Sequence, residues 1–321
     1  MATANATIHA SQFPENVRRD LIASLATRRV NHKFHYDSVR QTQKWLALHQ
    51  AHSPARNDAD CADTYDRAFA EAVKQIPAKQ IHVIGLGCGG GQKDTRLLGL
   101  LKASGREIFY TPCDVSVAMT LVARQTALAV VPEKNCFPFV CDLATADDLS
   151  AALATRHPSL VTFFGMIPNF EPEEILPKLA ALVRPQDFLL FSANLAPGAD
   201  YAAGMKKVFP QYDNALTRDW LMAFLLNLGV ENGDGELRFT IEAGAAHLQR
   251  VMARFYFTRD RRIAVETEEF KFRSGESIQL FFSYRYTPEL VQKNLARHGL
   301  TVRAQWLTKS AEEAVFLCQQ V

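Results

Sequence analysis

No stretch of this 321-residue chain approaches the run of about eighteen uncharged apolar residues that a membrane-crossing helix needs. No transmembrane segment is therefore expected. The opening residues, MATANATIHASQF, lack the charged start and apolar centre of a secretory signal, so none is expected there either. Charge of one sign is also missing: 36 Lys and Arg face 34 Asp and Glu, and no basic run exceeds two residues. That balance excludes a nucleic-acid footprint and a polybasic membrane anchor, and leaves a small molecule as the expected partner. Oligomeric state has no signature in the sequence. Cysteine is scarce, with six residues and no C-x-x-C pair. Cys88, Cys113 and Cys318 fall in apolar, strand-like runs, so a reduced, cytoplasmic protein is expected rather than a disulfide scaffold. The nine histidines form no H-x-x-x-H pair, and no G-x-S-x-G elbow occurs. Neither a metal site nor a serine hydrolase is indicated, and "HKFH" (His32, His35) reads as surface or cap packing.

What is present is a rhythm. From residue 80 the chain alternates short β-rich runs with helical patterns, the mark of a parallel sheet wound with helices. Strands are expected over 80–88, 107–115, 137–143, 160–166 and 187–195, with helices over 94–104, 116–130, 146–156 and 171–183. The rhythm stops after Leu195 and resumes near 277 with strand, helix and two further strands. The expected fold class is α/β, a Rossmann-like core over 60–196 and 287–321 with an inserted second lobe. That cap or lobe takes in 1–59, where 15–28 reads as an amphipathic helix, and 197–286.

The loop "HVIGLGCGGGQKDTRLL" carries five glycines within residues 85–91. In an open α/β sheet the loop after the first strand meets the ligand, and glycine lets backbone come close. Gly85, Gly87 and Gly90 spell the G-x-G-x-x-G of a nicotinamide dinucleotide site, but the same loop serves an S-adenosylmethionine (SAM) methyltransferase. Asp114, closing the second strand in "YTPCDVS", suits a ribose diol, which both cofactors carry. Asp142, closing the third in "PFVCDLATADD", suits an adenine amino group, or simply caps the structure that follows.

The segments "HKFHYD", "GLGCGGGQKDTRLL", "PCDVS", "GMIPNFEPEEIL", "QYDNA" and "FFSYRYTPE" occur in this order. Together they resemble the histidine Nα-methyltransferase family of ergothioneine biosynthesis, SAM-dependent enzymes with a Rossmann core and a second substrate-binding lobe. The resemblance implies SAM as cofactor. It implies that Gly87, Gly89 and Lys93 line the methionine end, that Asp114 holds the ribose and Asp142 the adenine, and that Tyr36 lies against the cofactor near the acceptor amine. It further implies that Asn169 grips the amino acid's α-amino and carboxylate groups, while Tyr212 contacts the carboxylate and Ser283 the side chain. Tyr36 and Asn169 are thus the expected catalytic pair. Read as residues alone, Tyr36 is equally an ordinary half-buried aromatic and Asn169 a helix N-cap.

Three departures from the family pattern bear on the acceptor. Phe281 stands where histidine-specific members carry a glutamate that bonds the imidazole. A phenyl ring cannot replace that bond, and a site that loses its partner loses its preference. His52 and Ser53 replace two tyrosines of a Y-Y-P-T-R pattern, and "FGMIPN" is one residue tighter than the family's G-S-x-I-G-N, with Pro168 for glycine. The expected activity is methyl transfer to the amine of an amino acid or amino-acid-like molecule other than histidine. Phe281 and Met252 are expected to line its side-chain pocket unless they are core. The alternatives are an oxygen, carbon or sulfur acceptor, a catalytically inactive SAM-binding relative, and a nicotinamide dehydrogenase.

Overall fold

The computed structural model describes residues 4–320. Its strands, in chain order, are β1 (Thr7–Ile8), β2 (Gln80–Leu86), β3 (Glu107–Asp114), β4 (Phe139–Val140), β5 (Ser159–Phe163), β6 (Phe188–Asn194), β7 (Gly235–Ala243), β8 (Gln249–Phe257), β9 (Arg261–Val265), β10 (Glu268–Phe272), β11 (Ser277–Arg285), β12 (Leu300–Leu307) and β13 (Glu313–Gln320). Eight of them form one sheet in the order β1-β4-β3-β2-β5-β6-β13-β12. Pairing is parallel from β1 through β6 and antiparallel for β13 and β12. The chain runs outward from β2 through β3 to β4, then returns to place β5 on β2's other side. This reversal puts the ligand crevice at the carboxyl ends of β2 and β5.

The sequence dictates these central strands because they are buried on both faces: every residue of β5, and all of β6 but Asn194, is inside. The helices are α1 (Pro14–Thr27), α2 (Val39–His52), α3 (Pro54–Asn57), α4 (Ala59–Gln75), α5 (Gln92–Ala103), α6 (Val117–Ala127), α7 (Leu149–Ala152), α8 (Pro172–Leu182), α9 (Tyr201–Val208), α10 (Ala215–Asn227) and α11 (Pro288–Ala296). On α4, Cys61, Tyr65, Ala68, Phe69 and Ala72 recur at helical spacing and are buried as a stripe.

Two expected elements are shorter than their patterns. The helix expected over 146–156 is reduced to α7, because Asp142 ties the chain into a turn: its carbonyl accepts from the Ala146 N–H and its Oδ1 from the Ala144 N–H. The strand expected over 137–143 pairs only as β4, since Pro138 has no N–H to give a ladder. α2 has only Gln41 and Thr42 buried and so carries no apolar stripe to read; a reciprocal Ser38–Gln41 capping box starts it. Thr7–Ile8, expected within the cap, joins the core sheet at its edge through β4.

The remaining strands build the second lobe, a three-stranded sheet β11-β8-β7 and a β9–β10 hairpin. Leu25 and Phe34 join Trp220, Phe224, Phe255, Phe257 and Phe281 in its core. Lobe and core are not independent: Met252, Phe282, Tyr284 and Tyr286 pack in one cluster with Phe163 and Phe191 of the central sheet. Met252, expected in a pocket, is fully enclosed in that cluster.

A register shift in β11 decides what faces where. Gln279 pairs with Arg254 and Phe281 with Ala253, so Leu280 is an extra residue. Leu280 and Phe281 both enter the lobe core, and Phe282 turns the other way. A one-residue bulge inverts every side chain beyond it. The bulge is held by His35, whose buried ring places Nε2 2.6 Å from the Leu280 carbonyl oxygen.

Burial lowers the pKa of His35 to about 4, against a smaller upward pull from that carbonyl. Burial, helped by His157, likewise lowers His82 to about 4. Below pH 6.5 the unfolded chain binds protons that the folded chain refuses, so stability falls as pH drops from about 6.5 toward 4. Urea unfolding at pH 7 and pH 5 should show a loss of order 2 kcal/mol from His35. An undiminished loss in His35→Gln would refute that origin.

Candidate active site

A cavity of about 780 Å³ opens at the carboxyl ends of the parallel strands. Its floor is the glycine loop. Gly87 turns the chain out of β2 at φ 61°, and a Cβ there would meet the Met166 Cγ at 2.6 Å, so only glycine fits. Gly89, at φ 52°, aims its N–H at Asp114 Oδ2, 2.9 Å away. The other oxygen of Asp114 accepts from the Ser116 N–H at 3.0 Å. Burial raises the Asp114 pKa, and the Ser116, Gly89 and Val115 amides offset part of the rise. A carboxylate has about four acceptor positions, so Asp114 retains capacity for a ligand diol.

Asp142 does two things at once. It caps the turn through Ala144 and accepts from the Thr145 hydroxyl at 3.0 Å, yet it also lines the cavity. Its Oδ2 lies 3.4 Å from the Lys33 ammonium, which is itself 2.5 Å from Asp20. Lys93, at the start of α5, donates to the Tyr65 hydroxyl at 2.6 Å and stands 3.9 Å from Glu313. Burial lowers its pKa, against the pull of Glu313.

Asn169 closes a short turn, Ile167–Asn169, before α8. It is not the helix cap, a position that falls to Glu171. Its Nδ2 donates to the Phe282 carbonyl at 3.0 Å, which leaves its Oδ1 and second N–H for a ligand. Tyr36 packs 5.6 Å from Trp220 and 5.9 Å from Trp45. Burial, reinforced by the Asp114 carboxylate, holds its phenol well above the ordinary range, so it stays protonated.

Tyr36, Gly87, Gly89, Lys93, Asp114, Asp142 and Asn169 therefore share one cavity. The other four expected residues lie outside its lining. Met252 is core. The β11 bulge turns Phe281 toward the lobe interior and gives its place to Phe282. Ser283 and Tyr212 bond each other at 2.9 Å, and Arg285 donates to the same Tyr212 hydroxyl at 2.8 Å. That cluster stands on the opposite face of β11 from Phe282. Ser53 lines the cavity, whereas His52 is exposed.

Sequence reasoning missed the wall built by 29–33, including Asn31, His32 and Lys33, and the contribution of Gln279 and Glu313. Only "HKFH" signalled it, and nothing local distinguishes those histidines from surface residues. Among the described residues no group of three or more His, Cys, Asp or Glu is arranged for a metal ion, and no helix is long and apolar enough to cross a membrane.

Comparison with protein families matches residues 17–320 to the family described as histidine-specific methyltransferase, SAM-dependent. No curated protein matches the chain. Among solved structures, magnesium protoporphyrin IX methyltransferase from Synechocystis PCC 6803 with bound SAH aligns over 90% of this chain and 98% of its own, at 13% identity and a TM-score of 0.48. The 1,6-didemethyltoxoflavin-N1-methyltransferase of Burkholderia thailandensis aligns over 100% and 94%, at 11% identity and a TM-score of 0.44.

The glycine geometry gives a direct test. Gly87→Ala should weaken binding of S-adenosylhomocysteine (SAH) about tenfold or more, from left-handed strain and the Met166 clash. Gly99→Ala, with open space around it on α5, should not. Calorimetric titration reads both, and equal affinities would refute the account of the loop.

Proposed function

The chain belongs to the SAM-dependent, histidine-specific methyltransferase family, with a Rossmann-like α/β core, and within it we propose an amino-acid N-methyltransferase whose acceptor is not histidine. The observation that carries this reading is the meeting of Asn169 and Tyr36 with Asp114 and the glycine loop in the lining of one cavity. An amide is both donor and acceptor, so Asn169 suits an α-amino and carboxylate pair without adding charge. The case against histidine is Phe282 in the wall with Phe281 behind it: neither ring offers the charge-assisted bond an imidazole needs.

When bound, SAM supplies a methyl group on a sulfonium, open to in-line attack by a neutral amine. What remains for the protein is proximity and orientation. In this reading Asp114 accepts from the ribose hydroxyls, Asp142 receives the adenine amino group, and Gly87, Gly89 and Lys93 surround the methionine end. Asn169 Oδ1 accepts one amine hydrogen and Tyr36 Oη a second, which aims the nitrogen lone pair at the methyl group. Tyr36 keeps its own proton, so it orients the amine and does not deprotonate it. The proton lost from an arriving ammonium passes to solvent at the cavity mouth, favoured by desolvation of the charged form.

Two measurements test this. A SAM turnover assay across free amino acids, hydroxy acids and thiols should give methylated amines, with histidine at least about tenfold below the best acceptor. Preference for histidine, or transfer only to oxygen or sulfur, would overturn the reading. Tyr36→Phe should lower kcat by about 10–100-fold while SAH affinity stays within about twofold. An unchanged kcat would remove Tyr36 from the mechanism.

A further inference from the structure

His32 sits in the cavity wall beside Asn31 and Gln279. Both of its ring nitrogens are sealed from solvent, and neither has a hydrogen-bond partner in the protein. Buried polar groups in folded proteins are almost always bonded, and leaving one without a partner is costly. An imidazole with two unanswered nitrogens, set in the wall of a cavity, gains a partner when a small turn of the ring brings one nitrogen to a ligand. Its ring is fixed edge-on to Phe282 at 4.9 Å and tilted against Phe281 at 5.2 Å. Burial, helped by His35, lowers its pKa to about 3, so it stands there neutral, with one N–H donor and one acceptor. The rings packed around it, Phe281, Phe282 and His35, are uncharged as well. Among the carboxylates that line the cavity, Glu171 is matched by Arg250 at 2.8 Å and the Tyr284 hydroxyl at 2.6 Å, and Asp142 stands 3.4 Å from the Lys33 ammonium. A charged substituent brought against the His32 ring would be desolvated among these uncharged rings at a cost that a neutral hydrogen-bonding group avoids.

We propose that His32 is the specificity-determining residue for the acceptor's side chain, and that this side chain carries an uncharged hydroxyl or amide on an otherwise apolar body. The inference rests on the amino-acid reading above and names the acceptor class within it. Bulge and histidine act together: Phe281 supports the ring from behind, Phe282 flanks it, and Asn169, bonded to the Phe282 carbonyl, holds the backbone end of the same molecule.

Near-isosteric pairs of free amino acids test it: tyrosine against phenylalanine, threonine against valine, glutamine against methionine. For the pair turned over best, the polar member should exceed the apolar one in kcat/KM by about tenfold or more. In His32→Phe the ratio should fall to within about threefold, with His32→Asn restoring part of it, while SAH affinity stays within about twofold. The wild-type ratio decides even where a variant fails to fold. Amino acids methylated with no preference for the polar member, or a ratio unmoved in His32→Phe that still binds SAH, overturn this inference and leave the proposed function standing. If no amino acid accepts a methyl group, the proposed function falls and the inference with it.

Discussion

The site depends on one buried ammonium. Lys33 is almost wholly inside the protein, between Asp20 of α1 and Asp142 at the end of β4. A cation in that position is stable only because two carboxylates answer it, and removing it would leave them buried and uncompensated, a loss of about 3–5 kcal/mol. Its consequence is positional. By tying the N-terminal segment to the carboxyl end of a core strand, it lays residues 29–36 across the crevice, so that Asn31, His32 and Tyr36 become a wall. The pairing of Val30 N–H with the Gln279 carbonyl at 2.9 Å fixes the same segment to β11 from the other side. Without these two ties the cavity would be an open groove at the edge of a sheet.

The core was legible because its strands are enclosed on both faces and so read as unbroken apolar runs, and because glycines and acids stand where strands end. Gly87, Gly89, Asp114 and Asp142 are legible in this way from the sequence. Asn169 and Tyr36 entered through family likeness, since an asparagine after a proline or a tyrosine beside a histidine carries no pattern of its own. What stayed hidden depends on register. Alternation along β11 places Phe281 with Gln279, on the cavity side, and the extra residue at Leu280 exchanges it for Phe282. Nothing in "QLFFSYR" marks that slip, because both candidates are phenylalanine. Lys33 was equally illegible: its partners lie 13 and 109 positions away in the chain.

Catalytic and structural demands meet in the lobe. Met252, Phe282 and Tyr284 belong to the lobe's sheet by hydrogen bonding and to the central core by packing. Two sheets that share a dense hydrophobic cluster cannot slide past each other without opening voids, because packed interiors tolerate little change in volume. The orientation between cofactor loop and acceptor wall is therefore set at folding. A displacement that demands ordinary nearness and alignment, and little acid–base chemistry, is well served by such rigidity.

The bulge at Leu280 also bears on how this pocket can diverge. Exchanging the residue at 281 alters the lobe's interior and reaches the cavity only through His32, against which it packs. Losing or gaining a single residue in β11 would instead rotate the strand's two faces, bringing a different set of side chains to the ligand while the loop, Asp114 and Asn169 stayed where they are. New acceptors on this scaffold are then more accessible through short insertions and deletions than through point changes, and an alignment that places residues in one column across the bulge will compare side chains that face opposite ways.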